Sequence, residues 1–146
     1  MSNIRDFNIE SQTGKDLLKQ IREGLPSMKL RSADNRGNRE YEKVKSLDAI
    51  VKRLLEELKL GVRGDDVQIC TITHYPQHLG YTVWQISNGI TIRNTTGPGY
   101  LIPINIKGNA HLNSEETLRY GCYSYYNGVT DLTPELDCIF VVQKTK

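Results

Sequence analysis

The sequence predicts an α+β fold: two N-terminal helices packed on a C-terminal antiparallel β-sheet of about five strands, in a single domain spanning residues 1–146. Three observations predict it. Apolar residues recur at intervals of three and four in two stretches, Leu17–Leu25 and Tyr41–Leu58. From Val67 onward the pattern becomes short β-branched and aromatic runs divided by turn residues. Between two such runs stands Asn88-Gly89, the preferred signal for a tight antiparallel hairpin.

Taken in order, Thr13-Gly14-Lys15-Asp16 resembles a capping box, and Leu17, Leu18, Ile21 and Leu25 follow on one helical face. That helix is predicted to end near Gly24 and Pro26. Pro26 to Arg39 is poor in apolar residues and reads as a mobile connector, the most cationic in the chain, with Lys29, Arg31, Arg36 and Arg39. Tyr41, Val44, Leu47, Ile50, Val51, Leu54, Leu55 and Leu58 form the strongest helical stripe, which predicts one long amphipathic helix to about Leu60. Gly61 is suited to its C-cap, and Gly64-Asp65-Asp66 marks a turn into the second half.

Strands are expected at Val67–Tyr75, Tyr81–Ser87, Ile90–Asn94, Tyr100–Lys107 and Leu136–Gln143. The Asn88-Gly89 turn would pair the second and third of these, setting Trp84 opposite Arg93 and Gln85 opposite Ile92. Ile102, Ile104 and Ile106 alternate onto one face of the fourth, and Pro103 favours an edge position there. Ser114-Glu115-Glu116 reads as the start of a short helix ending before Gly121.

Composition narrows the class. With 38% hydrophobic and 25% charged residues the chain falls in the range of folded globular proteins rather than disordered ones. No apolar run approaches the length of a spanning helix, the first residues lack the apolar block of a signal peptide, and no membrane association is expected. Cys70, Cys122 and Cys138 are odd in number and far apart, which suits buried free thiols in a reducing, cytoplasmic setting. The net charge of +2 is too small to imply nucleic-acid binding by itself. Its distribution is uneven: residues 1–64 hold 14 Lys and Arg against 10 Asp and Glu, or +4, and residues 65–146 hold 5 against 7, or −2. Such a bias steers anionic partners, and a plain solvated helix face also produces it.

Several groups carry chemistry. Trp84 and Arg93, if opposed, make a cation–π pair or a stacking surface, and also suit ordinary cross-strand packing. Asn94 and Thr96, in the segment leading to Gly97-Pro98-Gly99, offer an anion polar groups beside a backbone open to close approach, and equally suit a plain connector. Four tyrosines in Tyr120–Gly128 offer large contact area at low entropic cost, and a second Asn-Gly pair, Asn127-Gly128, would present Tyr125 and Tyr126 near a hairpin tip. His74, His78 and His111 with Lys107 and Arg93 supply the acid, base and phosphate contacts of metal-independent ribonuclease chemistry. A metal site would need a third ligand that the spacing does not identify, and no Ser or Cys stands in a nucleophile motif.

The function expected is therefore a non-enzymatic binding module, holding a protein partner or an anionic small ligand through an aromatic and basic surface. Trp84, Arg93, Asn94, Thr96, Tyr125, Tyr126, Arg31 and Arg36 are its candidate residues. Neither metal nor cofactor is expected, and a homo-oligomer fits the aromatic surface. The alternative is a small ribonuclease acting on RNA. Helices followed by an antiparallel sheet resembles the arrangement of small microbial ribonucleases and toxin nucleases, with no shared motif.

Overall fold

The computed structural model describes residues 4–32, 34–58, 79–93, 99–113 and 116–143. Among these, β1 is Ile4–Asn8, α1 Gln12–Gly24, β2 Leu30–Ser32, β3 Arg39–Tyr41, α2 Lys45–Leu58 and β4 Leu79–Ile86. The remaining strands are β5 Ile90–Ile92, β6 Gly99–Ile106, β7 His111–Leu112, β8 Glu116–Thr117, β9 Cys122–Tyr126, β10 Thr130–Thr133 and β11 Leu136–Gln143.

α1 starts at Ser11, whose Oγ accepts from the Gly14 N–H at 3.0 Å, two residues before the expected cap. It runs into a 3-10 turn, Leu25–Ser27, where Pro26 ends helical hydrogen bonding. α2 buries Leu47, Val51, Leu54, Leu55 and Leu58, the stripe seen in the sequence. It begins later than the periodicity suggested, because Tyr41 belongs to β3.

The strands form two sheets, both antiparallel. A seven-stranded sheet has the order β1-β9-β6-β11-β4-β3-β2, and a four-stranded sheet has the order β5-β10-β7-β8. Both helices lie on one face of the large sheet and share a core with Tyr81, Val83, Tyr100, Ile102, Ile104, Tyr123, Ile139 and Val141. The small sheet covers the opposite face, where Ile86, Leu101, Tyr126, Leu136, Cys138 and Phe140 pack against Ile92, Leu112 and Leu132. Three layers result, with the large sheet buried on both sides.

The fold is thus mostly β, and the expected five-stranded sheet under a purely helical N-terminal half is incorrect. Three strands come from that half: β1 caps one edge beside β9, and β2 and β3 extend the other beside β4. The stretch read as a mobile connector contains the β2–β3 hairpin, held across its strands by an Arg31–Glu40 ion pair at 3.1 Å. Segment 114–121 is not a helix where it is described. β8 pairs with β7 after a reversal at Asn113, whose φ is +54°. The expected strand Val67–Tyr75 lies outside the described residues.

The Asn88-Gly89 hairpin also fails. β4 pairs with β11 and β3, and β5 pairs with β10 in the other sheet. The edge of β4 that β5 would need is taken by β3, with Arg39 opposite Gln85 and Glu40 opposite Trp84. A type I′ turn requires positive φ at both central residues, and neither Asn88 nor Gly89 has it. The pair is instead a corner between layers. Asn127-Gly128 does the same, carrying the chain from β9 in the large sheet to β10 in the small one, with Gly128 at φ +86°.

The first corner is clasped from outside. Asn38, fully buried, accepts from the N–H groups of Ser87 at 2.7 Å and Asn88 at 2.9 Å, and donates through Nδ2 to Asp34 at 2.9 Å. The Asn88 side chain donates to the Arg36 carbonyl, and the Arg36 guanidinium donates to the Gly89 carbonyl at 2.8 Å. Two backbone N–H groups, one side-chain amide and one carbonyl of the corner thus find partners in the 34–38 loop.

In β6 the expected single face of Ile102, Ile104 and Ile106 is divided. A bulge opposite Asp137 and Cys138 inserts one residue, so Ile102 and Ile104 face the helices and Ile106 faces the small sheet. Pro103 sits in an interior strand. It is tolerated there because the pairing with β9 ends at Leu101 and the ladder to β11 is broken at the bulge.

Candidate functional site: an apolar cleft between the sheets

Period-two alternation places Thr82 and Trp84 of β4 and Phe140 and Val142 of β11 on the face turned from the helices. β4 and β11 are eight residues long, whereas β5, which lies over them, has three. The cover is shorter than the floor. A cleft of about 210 Å³ opens between the layers, lined by Thr82, Trp84, Ile90, Ile92, Tyr126, Phe140 and Val142.

Trp84 is half-buried and meets the Phe140 ring edge-on, with centroids 6.0 Å apart and planes at 84°. Its indole Nε1 donates to Thr82 Oγ1 at 3.1 Å, so the donor that an aromatic wall would otherwise leave unmatched is satisfied within the wall. Among the described residues the lining is apolar apart from the Thr82 and Tyr126 hydroxyls and the Trp84 indole N–H.

A second, polar cleft of about 120 Å³ is lined by Gln85, Ser87, Asn105, Lys107, Glu135 and Asp137 among others. The Asp137 carboxylate accepts from the Tyr41 hydroxyl at 3.0 Å and from Asn105 Nδ2 at 3.2 Å. Burial, and then the Asp137 charge, pushes the Tyr41 phenol well above its ordinary value. The carboxylate therefore ties β3, β6 and β11 together. Each of its oxygens accepts one of these bonds.

The sequence-predicted residues do not form one surface. Trp84 and Tyr126 line the apolar cleft, and Arg93 is exposed just beyond β5. Tyr125 is on the helix face, against Tyr100 and with the Arg5 guanidinium 5.8 Å from its ring centre, so the sheet separates it from Tyr126. Arg31 is paired with Glu40, and Arg36 is engaged at the Gly89 corner. That bond joins the 34–38 loop to the corner after β4. Asn94, Thr96, His74 and His78 lie outside the described residues.

His111 is on β7, with its Nδ1–H donating to the Asn109 carbonyl oxygen at 2.7 Å. Lys107 stands at the polar cleft. Among the described residues no group of three His, Cys, Asp or Glu is placed to hold a metal ion, and no helix is long and apolar enough to cross a membrane. The cleft residues that sequence reasoning missed are Thr82, Ile90, Ile92, Phe140 and Val142. A signal was present in the unbroken run Cys138–Val142, which marks a strand with apolar contacts on both faces.

No protein-family model matches the chain, and no curated protein matches its sequence.

Proposed function

We propose that the chain is a non-enzymatic binding module whose inter-sheet cleft receives one apolar side chain of a protein partner. The observation that carries this reading is the match between the cleft's size and its lining. Its volume of about 210 Å³ exceeds the cavity of about 150 Å³ that takes up benzene. It falls short of the roughly 300–1,000 Å³ typical of sites for whole small ligands. One leucine- or phenylalanine-sized group fits the space, and aromatic walls favour it. Arg93 and the basic N-terminal half supply the electrostatic bias of the surrounding surface.

Trp84 is the sole tryptophan in the chain, so intrinsic fluorescence reports directly on the cleft. Titration with N-acetyl-phenylalanine amide is expected to give a saturable change with a Kd in the roughly millimolar range, as suits so small a probe. Ile90→Arg, which brings a charge to the half-buried rim, is expected to abolish the change while thermal unfolding stays cooperative. An unsaturable, linear response in the unsubstituted protein would refute the reading.

A further inference from the structure

The two Asn-Gly pairs occupy equivalent corners between the sheets, yet their side chains are held in opposite ways. Asparagine followed by glycine is chemically labile, because glycine has no side chain to hinder attack by its own backbone nitrogen on the preceding amide. At Asn88 the side chain donates to the Arg36 carbonyl, the backbone N–H is bound by buried Asn38, and the Gly89 carbonyl is held by the Arg36 guanidinium. At Asn127 the side chain is exposed and makes no hydrogen bond among the described residues, and Gly128 and Val129 beside it are exposed too.

We infer that Asn127 is a site of spontaneous deamidation in the folded protein, and that the 34–38 clasp protects Asn88 from the same reaction. The Gly128 backbone nitrogen attacks the Asn127 side-chain carbonyl carbon. The new N–C bond closes a cyclic imide, the Cγ–Nδ2 bond breaks, and ammonia leaves with the proton of the Gly128 N–H. Water then opens the imide at either carbonyl, giving aspartate or isoaspartate. Both products add a negative charge at the corner joining β9 to β10, and isoaspartate also lengthens the backbone there. For Asn88 the same attack requires the bonds to Arg36 and Asn38 to open first, so its rate is scaled down by the population of the open clasp. The inference is independent of what the cleft binds.

The two sites are separable by digestion, since cleavage after Arg and Lys places Asn88 in peptide 64–93 and Asn127 in peptide 120–144. The folded protein is incubated at mildly alkaline pH and the peptides are followed by mass spectrometry, with a parallel sample kept unfolded in urea. In the folded sample, peptide 120–144 is expected to gain the acid form at least about tenfold faster than peptide 64–93. In the unfolded sample the two rates should converge. Asn127→Gln should abolish conversion in peptide 120–144, and Asn38→Ala should raise the folded-state rate at Asn88. Equal rates in the folded protein would overturn the inference. So would an Asn127 that survives folded incubation as well as Asn88 does.

Discussion

Replacing Asn38 with alanine tests the device that turns the chain from one sheet to the other. Asn38 is completely buried and its Oδ1 is the acceptor for two backbone donors, Ser87 at 2.7 Å and Asn88 at 2.9 Å. Its Nδ2 also donates to Asp34 at 2.9 Å. Truncation removes all three bonds. Leaving a backbone donor unmatched costs about 1–3 kcal/mol, and Ser87 and Asn88 are exposed enough for water to recover part of it, so about 1 kcal/mol each applies. With the Asp34 bond the expected loss is about 3 kcal/mol. For a chain of this length that lowers Tm by roughly 9 °C. Urea unfolding should show a reduced midpoint with unchanged slope, the signature of altered stability rather than altered unfolded-state compactness. A loss below about 1 kcal/mol would mean that the corner does not depend on the clasp. Asn38→Asp adds a second arm. The Asn38 amide is the main cause holding the Asp34 carboxyl below its ordinary value, and a carboxylate in its place reverses the effect. This variant should be destabilised at neutral pH and partly recover as the pair takes up a proton in acid.

Phe140→Ala removes a nearly buried ring from the cleft floor and the edge contact with Trp84, and should cost about 3 kcal/mol while shifting Trp84 emission in the folded state. Gly14→Ala should destabilise by about 1 kcal/mol in urea unfolding, although alanine is the better helix former. An added Cβ would lie 2.8 Å from Ile9 Cγ2 and 3.0 Å from Ser11 Oγ. The Tyr81 hydroxyl, donating to Asp48 at 2.5 Å, is the main cause depressing the Asp48 carboxyl, with Lys52 and Lys43 assisting. That contribution to stability is fully present above the ordinary carboxylate value of 3.8 and is lost as pH falls through the depressed one, so Asp48→Asn should flatten the acid limb of Tm against pH. Burial, and then Asp48, raises the Tyr81 phenol above its ordinary 10.0. The unfolded chain therefore gives up that proton first, and stability should decline as pH rises past about 10, less so in Tyr81→Phe.

Much of the local structure was legible in the sequence, and the assembly was not. The stripe Leu47–Leu58 named the buried face of α2, and the β-branched runs located β4, β6 and β11 to within a residue or two, because burial imposes its period directly on the chain. β1 escaped notice because Arg5, Asp6 and Asn8 mask the apolar contributions of Ile4 and Phe7 in an edge strand. β2 and β3 escaped for a similar reason, since Arg31, Arg39 and Glu40 give an edge hairpin the composition of a loop. The two Asn-Gly pairs were recognised as reversals. Whether a reversal returns the chain to its own sheet or to a facing one depends on which partner occupies the next edge, and at β4 that partner is β3, some forty residues earlier in the chain. The sequence offers Trp84 as a stacking partner of Arg93 and Tyr126 as a residue near a hairpin tip; the cleft instead sets both beside residues of β5 and β11, a juxtaposition that only the packing of the layers creates.

The proposed binding role requires that the space between β5 and the β4–β11 face accept an apolar side chain. The most direct measurement is a methyl and amide NMR titration of the protein with N-acetyl-phenylalanine amide. Saturable shifts centred on Ile90, Ile92, Trp84, Phe140 and Val142 are predicted, with the polar cleft at Lys107 and Asp137 unmoved. Shifts that fail to saturate, or that centre on Lys107 and Asp137, would contradict it.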